Sequence, residues 1–365
     1  MKILVLPRAS GNPYQRLLYT NKAISQVQVT YFGPPTGYAA LLAAPLVLLR
    51  LAGARLTGTR IVHIHWLYFL ELPDYGALLR WLTFVQTMCV LKAMRLMGMR
   101  IVWTAHNVLP HESQGNYGVR TTRYLTHIAA SIIAHSPQTS RELAGMGITA
   151  AKKITLIPHG NYDGVYAANF TRTQMRANLG IQPNDTAILF FGLIRAYKGV
   201  EELLQAFEQL QRPGVRLIIA GECQDSGLAK TIAKAARKNK HISFINKSIP
   251  EKNVADYFAA ADISCMPFKS ITTSGSAILA ATFGKPIVAP RLGALKDIPS
   301  EVGILYEPTE PQALLHALEK ILSNKQRRAA MGRASRAYAD TLSWDSIAAK
   351  TYKVYERSLA RKPRT

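Results

Sequence analysis

Two cations and, further along the chain, a row of hydroxyls are the residues whose types and spacing most plainly suggest chemistry. In FFGLIRAYKGVEELLQAF (190–207) an apolar run stops at Gly192, a short loop presents Arg195 and Lys198, and Gly199 precedes an amphipathic helical pattern. Two cations on a loop at the carboxyl end of a strand can clamp a diphosphate from one side; a solvated basic loop gives the same pattern. In KSITTSGSAILAATFGKPIVAP (269–290) the hydroxyl and glycine residues Thr272, Thr273, Ser274, Gly275 and Ser276 follow a strand-like ISCMPF, and a helix is expected to start near Ser274. The unbonded N–H groups of a first helical turn, with the positive end of the helix dipole, bind anions without a charged side chain. Hydroxyls add donors and Gly275 lets an oxygen approach the backbone; a plain Ser/Thr N-cap is the bland alternative. Taken together, the two stretches predict a diphosphate between Arg195 and Lys198 on one side and Thr273, Ser274, Gly275 and Ser276 on the other.

A second group has the residue types for proton transfer. TAHNVLPHE (104–112) follows an apolar strand pattern, so His106, His111 and Glu112 fall in a loop at a ligand-binding edge, near His63 and His65 of HIHW. The spacing is not HExxH, and neither another metal signature nor a DxD for a metal–diphosphate site is present, so no metal is expected to take part. SGNPYQRLLY (10–19) places Gly11 and Asn12 in a turn after the first strand. It is neither GxGxxG nor a P-loop, but its backbone can approach a phosphate or an acceptor.

The elements that must position these groups alternate. Strand patterns occur at 2–6, 61–65, 100–105, 131–136 and 154–160, then at 187–192, 216–221, 242–245, 263–268 and 285–290, with helical patterns such as 200–210, 227–238, 251–260 and 311–322 between. Such alternation predicts parallel sheets covered by helices on both faces, with ligands at the carboxyl ends of the strands. The polar run 171–185, with Gly180, Pro183, Asn184 and Asp185, marks a boundary zone. The expected organisation is an N-terminal Rossmann-like domain over 1–170, a C-terminal Rossmann-like domain over 171–340, and a last segment in 341–365.

Length and composition agree with two globular domains: 365 residues, 48% apolar and 18% charged. The formal net charge of +23 points to an anionic partner such as a phospholipid surface, nucleic acid or a phosphorylated substrate. Cys89, Cys223 and Cys265 are widely spaced and lack a CxxC, which suggests neither disulfides nor zinc and fits a reducing, cytoplasmic setting. MKILVLPRASG reads as a first strand and not as a signal peptide. The apolar stretch 37–54 is the one spanning candidate, but Pro45 and Arg50 favour a buried or interfacial helix. In 77–100, Leu78, Trp81, Leu82, Val85 and Met88 share one helical face, with Arg80, Lys92, Arg95 and Arg100 elsewhere. A helix packed on the sheet accounts for that pattern; a surface facing an anionic membrane is the sharper alternative.

The order TAHN, IPHGNY, FFGLIRAYKGVEELLQAF, IIAGE, DISCMPF and TSGSAILAATFGKPIVAP resembles the glycosyltransferase family 4-like enzymes of the GT-B fold, over essentially the whole chain, ending in LSWDSIAAKTYKVYERSL. The resemblance implies an α/β architecture of two facing, doubly wound Rossmann-like domains with a cleft between them, 1–170 binding the acceptor and 171–340 the nucleotide sugar, with a helix in 341–365 returning to the N-terminal domain. It also implies transfer of a hexose from a nucleoside-diphosphate donor, UDP- or GDP-linked, to a saccharide or lipid-linked acceptor in polysaccharide or glycolipid assembly. In its terms Arg195 and Lys198 match the diphosphate-binding cations, His106 the histidine near the donor sugar, and Ile245 to Ile249, with Lys247, the base region. His159 of IPHGNY joins the donor or acceptor loops. The family's Glu-x7-Glu pair falls at Ile271 and Leu279, so both carboxylates are missing. That departure resembles the subset making β-mannosyl or similar linkages on lipid-linked saccharides, and an inverting reaction would need a base, for which Glu112 and His106 lead and Asp74 follows.

Two other readings fit parts of the pattern. A basic nucleic-acid-binding protein accounts for the charge, but no helix-turn-helix, RNP or zinc-finger pattern accompanies it, so no nucleic-acid partner is expected. A sugar phosphorylase or epimerase on the same fold would use the same donor residues. The enzyme is expected in the cytoplasm, peripheral on the inner face of the cell membrane.

Overall fold

The computed structural model describes residues 1–9, 12–33, 43–66, 76–107, 116–146, 151–271 and 275–360. The chain divides into two compact units, Met1–Pro158 with Trp344–Thr365, and His159–Ser343. The division precedes the polar run 171–185 because 159–170 is already bonded into the second unit. The Asn161 side chain donates to the Ala339 carbonyl, the Tyr162 amide to Thr282 Oγ1, and the Asn169 and Phe170 amides to Asp256 Oδ1.

In the first unit the strands are β1 (Lys2–Leu6), β2 (Gln28–Tyr31), β3 (Ile61–Ile64), β4 (Arg100–Ala105), β5 (Ser131–Ala134) and β6 (Ile154–Leu156). They form one sheet in the order β2-β1-β3-β4-β5-β6, every pair parallel. The second unit repeats the plan with β7 (Thr186–Phe191), β8 (Val215–Ala220), β9 (Ile242–Ile245), β10 (Ile263–Cys265), β11 (Ile287–Pro290) and β12 (Gly303–Tyr306), ordered β12-β11-β10-β7-β8-β9 and again parallel throughout. The central strands read as unbroken apolar runs because helices cover both faces; β3, β5 and β11 are buried along their whole length. The expected doubly wound α/β class is what the chain adopts. The edge strands β2 and β12 were not expected. QVTY alternates in polarity and stays partly exposed, and GILY begins at Gly303, where a Cβ would lie 2.1 Å from the Ile287 carbonyl oxygen.

Two helices of the first unit bear on the membrane readings. The stretch considered as a membrane span forms a helix over Ala43–Leu56, and 14 residues reach only about 21 Å against a hydrocarbon core of about 30 Å; residues 37–42 lie outside the described part. Among the described residues one helix, Ala77–Leu96, is long and apolar enough to cross a membrane. Its buried face is Thr83, Thr87, Val90, Leu91 and Met94, not the apolar stripe expected to pack on the sheet. Leu78 and Trp81 of that stripe are exposed, and Leu82, Val85 and Met88 are half-buried.

Candidate active site

In the second unit the chain runs from β7 outward through β8 to β9, then crosses to the other side of β7 for β10. The switch point therefore lies between β7 and β10, where open α/β sheets leave a crevice at the carboxyl ends. Arg195 and Lys198 follow β7; Gly275 and Ser276 open the helix Gly275–Thr282 that follows β10. Thr272, Thr273 and Ser274 lie outside the described residues, so the described part of the predicted diphosphate site is Arg195, Lys198, Gly275 and Ser276.

Backbone contacts fix these loops. Gly199 is left-handed at φ +68°, and a Cβ there would stand 1.9 Å from the Pro267 carbonyl oxygen. The Lys269 amide donates to the Tyr197 carbonyl at 2.7 Å. Gly293, at φ +47°, lets the Ile271 carbonyl approach in the same way. The loops after β7, β10 and β11 are thus locked to one another by glycines that no other residue can replace without displacement. At Gly275 a Cβ would fall 2.9 Å from the Tyr162 hydroxyl, so that phenol shares the helix N-terminus.

Lys198 is the most informative side chain here. Its ammonium lies 5.8 Å from the centre of the Phe268 ring and makes no hydrogen bond or ion pair among the described residues. Burial, and then the neighbouring Arg195 guanidinium, hold its pKa down to about 8 from an ordinary 10.5. A partly buried cation beside a second cation is a place prepared for an anion. A carboxylate that the sequence reading missed also reaches these loops. Glu202, in the first turn of the helix Val200–Leu210, pairs through Oε1 with Lys269 at 2.5 Å, while its Oε2 is buried without a hydrogen-bond partner among the described residues. Leu279, one of the two positions lacking the family's glutamates, is buried in the core of the unit. Ile271 packs against that core.

The remaining second-unit candidates are placed as follows. Ile245 ends β9 and accepts the Gly221 amide, beside the turn in which Asn246 Oδ1 accepts the Cys223 amide; Lys247 is exposed. His159 Nδ1–H donates to the Gly160 carbonyl, its ring lies 5.5 Å from that of Tyr162, and burial lowers its pKa to about 4.

In the first unit the carboxyl ends of β3, β4 and β5 bring four histidines together: His63, His65, His106 and His135. His135 Nδ1–H donates to the Ile157 carbonyl at 2.9 Å. A carbonyl accepts and cannot donate, and that contact sets the direction of the chain in its neutral state. His135 Nε2 accepts from His106 Nδ1–H (3.3 Å), His106 Nε2 from His65 Nδ1–H (3.1 Å), and His65 Nε2 from the Tyr19 hydroxyl (2.8 Å). Tyr19 and Tyr355 both meet His63 Nδ1, at 2.7 and 2.6 Å, and His63 Nε2 faces Thr104 Oγ1 at 2.8 Å. Burial, and then neighbouring ring charge, push His63 down to about 3 and His65 well below its ordinary range, so both are neutral at physiological pH. Burial raises the Tyr19 phenol.

His106 is the hub of that network. Trp66 stacks on it at 4.4 Å and Tyr14 meets it edge-on at 4.7 Å. Both its ring nitrogens face other histidines, a commitment the sequence did not reveal. His135, Tyr14, Tyr19 and Tyr355 were missed as partners. His111, Glu112, Asp74 and Gly11 lie outside the described residues. Asn12 accepts the Tyr14 amide at 2.9 Å as the N-cap of the helix Pro13–Tyr19.

Comparison with known proteins fits this geometry. The family described as "Glycosyl transferases group 1" matches residues 171–338, which hold the Arg195/Lys198 loop and the helix at Gly275. A D-inositol 3-phosphate glycosyltransferase of Segniliparus rotundus is 30% identical over 204 residues, 54% of this chain, and the match spans 45% of that protein's length. A GDP-mannose:glycolipid 4-beta-D-mannosyltransferase of Xanthomonas campestris pv. campestris is 27% identical over 373 residues, covering 97% of this chain and 91% of that one. Among solved structures, Anabaena HepE in complex with UDP superposes with a TM-score of 0.76 at 17% identity, over 98% of this chain and 100% of that one. Sucrose-phosphate synthase from Thermosynechococcus elongatus gives 0.78 at 19% identity, over 98% and 99%. The chain adopts the GT-B fold, and residues 171–338 of its second unit match the group 1 glycosyl transferases.

Proposed function

We propose that the chain transfers a hexose from a UDP- or GDP-linked donor to a saccharide or lipid-linked saccharide, without a metal, with mannose from GDP-mannose the first donor to test. The observation that carries this reading is Lys198, a partly buried ammonium next to Arg195 at the switch point of the second sheet, with no ion pair among the described residues. The developing charge on a nucleoside-diphosphate leaving group is the partner it lacks. Arg195, Lys198 and the N–H groups around Thr273, Ser274, Gly275 and Ser276 would hold the diphosphate, and Ile245 and Lys247 would meet the base. The match to the Xanthomonas mannosyltransferase, which spans nearly all of both chains, supports GDP-mannose and a glycolipid acceptor.

The first unit is assigned to the acceptor, and Gly11, Asn12 and His159 to contacts with the donor or the acceptor. Of the two candidate bases, His106 has both nitrogens engaged by His65 and His135. Glu112 is therefore the base in this proposal, and His106 a positioning residue.

A peripheral site on the inner face of the cell membrane is supported by the surface of the first unit. The helices Ala43–Leu56 and Ala77–Leu96 pack side by side. They expose Leu49, Leu56, Leu78, Trp81 and Leu96 among the exposed cations Arg50, Arg55, Lys92 and Arg95. Apolar side chains interspersed with cations are what an anionic interface attracts.

The test is a donor panel by thermal shift, followed by transfer assays with and without a lipid-linked acceptor. A ligand at a hundred times its Kd adds about 2.7 kcal/mol, so the cognate donor stands out. Stabilisation by none of the UDP-, GDP- or ADP-sugars refutes the donor assignment. Equal donor consumption without acceptor would favour a phosphorylase or epimerase.

A further inference from the structure

The second unit carries another cationic site at the opposite end of its sheet. The residues leading into β10 and β11, Ala261–Asp262 and Gly284–Pro286, and one face of the helix Lys325–Asp340 enclose a cleft of about 410 Å³. Six cations line it, Arg172, Lys285, Lys325, Arg328, Arg333 and Arg336, against one carboxylate, Asp262. The helix contributes residues 325, 328, 332, 333 and 336, a spacing that keeps them on one side. Gly332 brings the helix onto the loop that bears Lys285, since a Cβ there would lie 2.8 Å from the Gly284 carbonyl oxygen.

Internal partners account for only part of this charge. Asp262 is consumed by Arg172 at 2.8 Å and Arg176 at 3.2 Å. Arg336 pairs with Asp163 and Asp340 and donates to the Thr282 carbonyl at the end of the helix Gly275–Thr282. Lys285 and Arg328 reach only backbone carbonyls and a hydroxyl. Lys325 and Arg333 are exposed and make no hydrogen bond or ion pair among the described residues. Neutralising helix carboxyl ends explains Arg336, and equally Lys285 at Ala261 after the helix Glu251–Ala260 and Arg328 at the end of the helix Ala313–Leu322, but it does not explain Lys325 and Arg333. Burial, with Arg172 next in weight, holds Lys285 at about pKa 8, as expected where positive charge is under-compensated.

We propose that this cleft binds a small, soluble, multiply charged phosphate ligand, such as a diphosphate or a phosphorylated sugar, at a site separate from the donor loops. The volume suits a small ligand, and convergent guanidinium and ammonium groups are the recognition chemistry for phosphate. Nothing in this assignment requires the donor reading to be right.

The test begins from the full chain carrying Arg195→Ala and Lys198→Met, which strips the donor loops of their cations. Calorimetric titration with inorganic pyrophosphate should still show one site in that background. Adding Lys325→Glu and Arg333→Glu, both at exposed positions, should weaken it at least about tenfold while circular dichroism and Tm are kept. No binding in the first background, or binding that the charge reversals do not change, overturns the proposal. Vesicles containing phosphatidylglycerol and a duplex DNA form parallel arms. If the charge reversals abolish flotation or DNA retention while pyrophosphate never binds, the ligand is a lipid headgroup or a nucleic acid and the soluble-phosphate assignment is wrong.

Discussion

Replacing Lys198 by Met separates what the residue costs from what it does. Its pKa sits at about 8 instead of 10.5 because burial, and then Arg195, disfavour the ammonium while no anion is present. Removing the charge relieves that penalty, and the methionine still fills the space beside Phe268, so the unliganded variant should melt no lower than the parent. Catalysis should move the other way. One fixed cation lost from a developing diphosphate charge should lower kcat/KM about a hundredfold, close to 2.7 kcal/mol of transition-state stabilisation. The pH profile adds a second reading. Lys198 is charged below about pH 8 and neutral above it, so wild-type kcat/KM should fall as pH rises through that value, whereas Lys198→Arg should stay level. Linkage gives the matching sign for folding. Between about pH 8 and 10.5 the unfolded lysine keeps a proton that the folded one has released, so this group's contribution to stability rises with pH across that window. Initial rates with the cognate nucleotide sugar and melting curves on the same preparations decide the matter. A methionine variant that loses several degrees of Tm yet turns over within about threefold of wild type would make Lys198 a structural residue and remove the diphosphate assignment.

Three further outcomes follow from other parts of the molecule. Gly199→Ala must move the Pro267 carbonyl and hold an alanine in a left-handed conformation, so a loss of about 1–3 kcal/mol in urea unfolding is expected, together with weaker donor binding; an unchanged midpoint counts against the locked loops. His63, held near pKa 3 in the folded chain, refuses the proton that an unfolded histidine takes at about 6.5. Stability should therefore fall as pH drops below about 6.5, by about 1.4 kcal/mol per pH unit for each histidine kept neutral, and urea midpoints that stay level from pH 7 to about 5 would refute the neutral network. Flotation with anionic vesicles should carry the protein upward at low salt and weaken when Arg80, Lys92 and Arg95 are changed to Glu; no flotation at low salt removes the membrane face.

The sheets were legible because buried parallel strands write themselves as apolar runs, and ten of the strands follow that pattern. The edge strands did not, since QVTY faces solvent on one side and GILY depends on a backbone approach that Gly303 permits. The placement of Arg195 and Lys198 was legible for a local reason: a strand, a short loop and a helix follow one another in eighteen residues of sequence. The partners of His106 were not. Tyr355 comes within 3.3 Å of Tyr19 across 336 positions of chain, and His135 reads as the tail of a strand until β5 is placed beside β4. Of the two readings of the apolar stripe on Ala77–Leu96, the one that packs it on the sheet fails because the helix buries threonines instead. Thr83 and Thr87 donate to the Arg80 and Thr83 carbonyls, satisfying their hydroxyls internally and letting a polar face pack inward.

The missing glutamates have a structural reason as well as a chemical one. Position 279 lies on the inward face of a helix whose Ala277, Ala280 and Ala281 are also buried, and whose mean character is apolar. A carboxylate there would be desolvated among core side chains, a cost of several kcal/mol unless a cation came with it. Lys269, in the loop after β10, is already held by Glu202 of the helix Val200–Leu210. With that pair neutral, Lys198 is left at these loops with no ion pair among the described residues. Under the proposed function, the donor would then be recognised through its phosphates, by cations and backbone amides. Leucine at position 279 thus serves the packing of the second core, and the helix Gly275–Thr282 carries no carboxylate that could offset the charge of Lys198.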